Sequence, residues 1–468
     1  MTSHDRAFGQ DETINVIVPT GALGAGVRES DLLRGLALGA HAIACDAGST
    51  DSGPAYLATG RSKYARAAVK TDLRLLMKAQ ASGGIPLLIG SCGTSGCDAA
   101  LDWTVEIARE IAREENLTPR IAILYSEQRA DDMRERAARG EVKPLAPFAT
   151  VEPALFDQCD HIVALMGPEP YIAALEQGAD IVLGGRTTDT AVIAAVPILF
   201  GAGTGPAWHA GKTAECGGQC TVSAREGGVI VRVGRDHFDV EPLSETNACS
   251  TVSVSAHMLY ENSDPNRLAE PGGTLDVTDA RYASVDTRIV RVEGSRFEPQ
   301  PYSMKLEGAS GGPFQTIMLV GIADPKVLAQ LERFLDQMQR LLIERVVAAM
   351  GLDRDAFDIS LRPYGWNAVL DEAVPADAPP PREIGLLFVA TAASQELATQ
   401  IAKTCNPMFF HMPLDREQEL PSYAFPFSPA EIERGQVFEF RLNHVVMVDD
   451  PLALVRMAFV ALDGGTHA

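Results

Sequence analysis

Between residues 14 and 184 the chain repeats one order about six times: a short apolar run, a loop rich in glycine, then a stretch with helical spacing. The apolar runs lie at 14–19, 42–45, 85–90, 120–125, 161–166 and 180–184. The helical stretches between them lie at 29–38, 64–81, 99–115, 131–140 and 168–177. Runs this short and this apolar read as buried strands, and strands alternating with helices build a parallel sheet covered on both faces. Near Thr204 the texture changes. Residues 222–238 alternate apolar and polar with Gly227 and Gly228 inside, as a hairpin does. Strands are expected at 284–292, 314–322, 385–391 and 438–447, with helices at 324–350 and 394–404. The expected fold is therefore α/β. A doubly wound, mostly parallel domain over 1–203 precedes an α+β domain over 204–468 with more antiparallel pairing. A chain of 468 residues exceeds one ordinary core, which agrees with two domains.

Composition narrows the function. The net charge of −22 argues against nucleic acid and against an anionic membrane surface as partners. It leaves room for a small anionic substrate, because arginines and helix N-termini bind anions locally. No apolar run is long enough to span a bilayer. The polar start, Met1 to Arg6, has no apolar segment of a secretory signal, and eight cysteines then suggest reduced thiols in the cytoplasm.

The chemistry gathers in the loops after the strands. A packed core has no use for many polar groups, since each must find a partner. Yet Cys45-Asp46-Ala-Gly-Ser49-Thr50-Asp51-Ser52 follows a buried strand directly. In open α/β sheets such a loop is where ligands sit. Gly21-Ala-Leu-Gly24-Ala-Gly26 lies between strand and helix, the setting of a phosphate-binding turn, although a bare structural turn explains it equally. Its order is not G-x-G-x-x-G, so no nicotinamide cofactor is expected. In Ser91-Cys92-Gly93-Thr94-Ser95-Gly-Cys97 the two thiols are too far apart for C-x-x-C. Cys92, before a helix, is expected to have a lowered pKa if it is not simply a small buried hydrophobe. In Gly184-Gly-Arg186-Thr187-Thr-Asp189, Arg186 offers a fork for a carboxylate or phosphate, and Asp189 is either a helix cap or a site residue. His209, Glu215 and Cys216 follow within a dozen residues and could ligate a metal or exchange protons. His237, Glu245, His411 and His444 stand apart from these groups and read as structural.

Taken together, Gly21–Gly26, Cys45–Pro54, Gly90–Gly96, Ala179–Asp189 and Glu215-Cys-Gly resemble the acyclic terpene utilisation, or AtuA-like, family. The resemblance covers most of the chain. Ser394–Lys403, Leu420–Pro429 and Phe440–Val446 resemble a branch of it. Other members carry a fused small domain with an R-S-G-D-K motif, which is not in this sequence, so the resemblance implies a small accessory subunit. It also implies a setting in the catabolism of branched carboxylated acyl-CoAs rather than a mechanism.

The expected activity is that of a lyase, a hydro-lyase or related C–C or C–X lyase, on a small branched hydroxy, dicarboxylic or tricarboxylic acid or its CoA ester. Asp46, Asp51, Cys92 and Glu215 are the catalytic candidates. Ser49, Thr50, Ser52, Gly93, Thr94, Ser95, Arg186, Thr187 and Asp189 are the substrate-binding candidates. Gly21, Gly24 and Gly26 are expected to bind an anionic group. Asp46, His209 and Glu215 are candidate ligands for a divalent metal, Mg or Mn rather than Zn. Two other readings stand beside it. One is a phosphotransferase, because Asp46–Ser52 matches the D-x-G-[ST]-[ST] phosphate loop of actin-like sugar kinases. The other is a large subunit inactive without its small partner. A homo-oligomer is expected.

Overall fold

The structure is a computed structural model that describes residues 8–9, 12–375, 377–412 and 423–460. The chain forms two compact units, Met1–Ser310 with Glu439–Ala468, and Gly311–Phe438. They do not part near residue 204 as the change of texture suggests. The reason lies in strand pairing.

In the first unit the strands run β1 (Ile14–Val18), β2 (Ala42–Asp46), β3 (Leu87–Gly90), β4 (Ile121–Tyr125), β5 (Val142–Pro144), β6 (His161–Ala164) and β7 (Ile181–Gly184). They continue as β8 (Val229–Val233), β9 (His237–Pro242), β10 (Arg267–Glu270), β11 (Gly273–Asp276), β12 (Arg281–Ser284), β13 (Val290–Glu293) and β14 (Arg296–Pro299). β15 (Ser303–Ile322) leads out of this unit, β16 (Phe357–Tyr364) and β17 (Ile384–Ala392) lie in the second, and β18 (Ile432–Met447) leads back to β19 (Arg456–Val460) in the first. One ten-stranded sheet has the order β12-β13-β9-β8-β1-β2-β3-β7-β4-β19. Its middle, β1-β2-β3-β7-β4, is parallel. The antiparallel hairpin β8–β9 extends that same sheet, with Ile14–Val18 paired along Val229–Val233. The change of texture at 204 therefore marks a change of strand direction inside one sheet.

Alternation along the central strands sorts side chains to two faces, as the pleat requires. Val16, Val18, Ala42, Ala44, Leu88 and Val182 enter one core, with Trp208, Tyr171 and residues 191–196 of helix Asp189–Leu199. Ile17, Ile43, Cys45, Ile89 and Leu183 enter the other, with Leu73 and Met77 of helix Arg66–Gly83 and Leu101 and Val105 of helix Asp98–Glu115. The sheet is thus covered on both faces, as expected of a doubly wound α/β fold. β6 departs from expectation. It pairs antiparallel with Leu306–Ala309 of β15, outside the ten-stranded sheet.

In the second unit, Phe314–Ile322, β17 and β16 form antiparallel neighbours. Phe334, Met338, Leu342 and Val346 make a stripe along helix Leu331–Met350 and enter a separate core with Phe388 and Phe409. Among the described residues no helix is long and apolar enough to cross a membrane.

Candidate active site

Four loops leave the carboxyl ends of β1, β2, β3 and β7 on one edge of the sheet, where open α/β sheets gather ligands. Backbone hydrogen bonds lock them together. Leu23 N donates to Asp46 O, Ala47 N to Gly90 O and Ser91 N to Gly185 O, each at 2.9 Å. At Gly96 the packing leaves no room for a side chain: a Cβ there would stand 2.2 Å from Arg186 N.

Two adjoining cavities of 290 and 820 Å³ open over this edge and share Asp51, Asp189 and Glu261 in their walls. Arg186, Lys212, Glu215 and Glu270 line the smaller cavity, and Asp46, Ser49, Ser52, Lys63, Tyr64 and Cys216 line the larger. The sequence candidates Asp46, Ser49, Asp51, Ser52, Arg186, Asp189 and Glu215 thus come together.

The cleft is dominated by buried acids. Asp46, at the end of β2, accepts from Gly48 N at 2.8 Å through Oδ2, while its buried Oδ1 has no partner. Burial, and then the neighbouring Asp189, push its pKa well up, against the pull of Arg186. Glu270 closes β10 and accepts from the hydroxyls of Thr188 and Thr190, each at 2.9 Å. Burial pushes it up to about 7. Glu215 is raised to about 8 by burial, although Lys212 Nζ, bonded to its Oε1, pulls the other way. Buried carboxyls with raised pKa gathered in a cleft make this edge the candidate site.

Several expectations are corrected by these contacts. Arg186 is not a free fork. Its Nε donates to Glu307 Oε2 at 3.0 Å, its Nη1 to Ser91 Oγ at 3.0 Å and to Thr187 O at 3.1 Å, and its Nη2 to Thr50 Oγ1 at 3.3 Å. It is a buried strut that holds three loops. Burial would raise Glu307, but Arg186 and Lys305 outweigh it and hold that carboxyl down at about 2. Thr50 also donates to Glu307, and Thr187 donates to Gly185 O, so both hydroxyls serve the scaffold.

The glycine loop is not an open anion site either. The amides of Gly24, Gly26 and Val27 donate to the carboxylate of Asp72 at 2.9, 2.9 and 3.0 Å. Gly21 and Gly26 border the larger cavity, but the loop already holds an anion belonging to the chain. Gly93, Thr94 and Ser95 form a buried turn: Thr94 Oγ1 accepts from Lys63 N at 2.9 Å, and Ser95 Oγ lies 3.5 Å from Cys97 Sγ. Cys92 is wholly buried, and burial raises its thiol instead of lowering it.

His209 does not stand with Glu215. Its Nδ1 pairs with Ser295 Oγ at 2.7 Å and its Nε2 with Tyr282 OH at 3.3 Å, and burial lowers it to about 3. It is a structural imidazole of the core. The side chain of His411 lies outside the described residues.

Sequence reasoning missed Glu270, Lys212 and Glu307. Lys212 lies one helical turn before Glu215, and that spacing was the available signal. Glu270 precedes Pro-Gly-Gly, which reads only as a turn.

Residues 55–423 match the family described as acyclic terpene utilisation family protein AtuA. The chain belongs to this family. No curated protein and no solved structure matches it. The AtuA match begins just after the Asp46–Ser52 loop and takes in Arg186, Asp189, Lys212, Glu215 and Glu270.

Proposed function

We propose that this AtuA-family chain is a catabolic lyase, a hydro-lyase or related C–C or C–X lyase. Its substrate in this reading is a small branched hydroxy, dicarboxylic or tricarboxylic acid or its CoA ester. The family description supports a role in breaking down branched carbon skeletons. The observation that carries the reaction class is the group of buried carboxyls with raised pKa in one cleft.

Elimination beside a carboxylate needs a base for the α proton and an acid for the leaving oxygen. Environments that push two carboxyls toward neutral pH supply both. Asp46, with one unpartnered oxygen, is the base in this reading. Glu270, protonated up to about pH 7, is the acid. Lys212, fixed by Glu215, provides positive charge for the enolate-like intermediate. Arg186 acts through position, holding Ser91, Thr187 and Thr50 around the cleft. The substrate anion is assigned to Arg28, Lys63 and Arg225, exposed on the wall of the larger cavity.

Phosphoryl transfer is the weaker reading. The Asp46 loop follows a strand with parallel neighbours instead of sitting on a hairpin. Its amides at Ala47, Gly48, Asp51, Ser52 and Gly53 are already bonded within the protein.

A thermal-shift panel of branched hydroxy acids, dicarboxylic acids, acyl-CoAs and Mg-ATP tests the reading. A true ligand at hundredfold excess over its Kd adds roughly 2.7 kcal/mol of stability. A shift with an acid or CoA ester is expected; a shift with Mg-ATP alone would overturn the lyase. Asp46→Asn is expected to abolish turnover of the acid so found while the protein stays folded, and full activity of that variant would remove Asp46 from the mechanism.

A further inference from the structure

Glu215, Cys216 and His257 each offer one metal-ligating atom, and the three atoms lie within 4.8 Å of one another. Glu215 and Cys216 follow helix Thr204–Ala214, and His257 opens the short 3-10 turn His257–Leu259. Glu215 and His257 are buried, at 6% and 5% exposure. The Nε2 of His257 is buried with no hydrogen-bond partner, a costly state for a ring nitrogen. Lys212 occupies Oε1 of Glu215; among the described hydrogen bonds Oε2 accepts none. Glu215 faces the smaller cavity and Cys216 the larger, so the group sits where the two meet.

We propose that Glu215, Cys216 and His257 bind a zinc-class divalent ion with a fourth position open to the cleft. One thiolate, one imidazole and one carboxylate are the donor types that select Zn²⁺ over Mg²⁺ or Mn²⁺. Three protein ligands with one position left open is the pattern of a catalytic rather than a structural zinc. The ammonium of Lys212 lies beside the group, and the carboxyls of Asp189 and Glu270 stand close to that ammonium. An ion there would polarise a substrate oxygen or bind a water. The assignment rests on the lyase reading only for that use; the ligand set stands on geometry.

Metal analysis of the full chain, purified without chelator and reloaded with Zn²⁺, tests it. About one equivalent is expected. Substitution with Co²⁺ should give the intense near-ultraviolet absorption of a cobalt–thiolate bond. Cys216→Ser and His257→Ala should abolish that band and weaken Zn²⁺ binding by more than the roughly 100-fold seen for outer-shell changes. Cys97, Glu127 and His161 form a second group with the same donor types. Cys97→Ser is therefore the control, expected to leave the band unchanged. The proposal is overturned if wild-type protein takes up no Zn²⁺ or Co²⁺, or if only Cys97→Ser removes the band. A protein that takes up neither ion yet shifts with carboxylic acids would sink the metal site and leave the lyase standing.

Discussion

Glu270 couples the cleft to pH. Its carboxyl, raised to about 7 by burial, holds a proton in the folded protein that the unfolded chain releases near the ordinary glutamate range. The folded state therefore binds more protons between these limits. This contribution to stability is complete at acid pH and is lost as pH rises through about 7. The loss is on the order of 3 kcal/mol. Glu270→Gln keeps the bonding shape without the charge. Urea unfolding from about pH 5 to pH 8 should show a flatter stability profile for the variant than for the wild type. Parallel profiles would contradict the assignment. Glu270 was illegible in the sequence because nothing local marks it: only strand β10 and the hydroxyls of Thr188 and Thr190 bring it to the cleft. Arg186 shows the converse. Its place in a strand-end loop was legible, but its role was not, because its partner Glu307 lies far along the chain.

At the scale of elements, helix Arg66–Gly83 reaches the glycine loop through Asp72, whose carboxylate accepts from the amides of Gly24, Gly26 and Val27. Asp72→Ala should destabilise the protein by about 1–3 kcal/mol, water replacing the carboxylate only in part. Inorganic phosphate should then raise the unfolding midpoint of the variant and not of the wild type, since freed amides at a loop form an anion nest. No difference between the two would show that the loop collapses when emptied. The apolar runs made nearly every central strand legible, β1, β2, β3, β4 and β7 among them. β6 was read as one more of the series. Its apolar pattern is that of its neighbours, and period alone carries no information on the partner, here β15.

For the whole molecule, the second unit is an insertion in the first: the chain leaves at Ser310 and returns at Glu439. Arg441 Nε donates to Ser310 Oγ at 2.9 Å, so the two ends lie close together within the first unit. Replacing 311–438 by a short glycine-serine linker should give a soluble chain with one cooperative unfolding transition and the ligand-induced shifts of the parent. Insolubility of that chain would show that the insertion is needed for the first unit to fold. The sequence hid this arrangement because local texture reports how neighbouring strands pair and not which sheet they join: β8 runs against β1 and β9 against β8, yet all three share one sheet.

The outer strand β19 pairs along all of β4, Ile121–Tyr125 against Arg456–Val460. On the ribosome β4 emerges long before its partner, with the whole inserted unit translated in between. During that interval Ile121-Ala-Ile-Leu-Tyr125 is an uncapped apolar edge, the kind of surface that recruits a neighbouring nascent chain. Closing this side of the sheet thus waits for β19, and a chain cut before Arg456 would hold every cleft residue while leaving β4 a sticky edge.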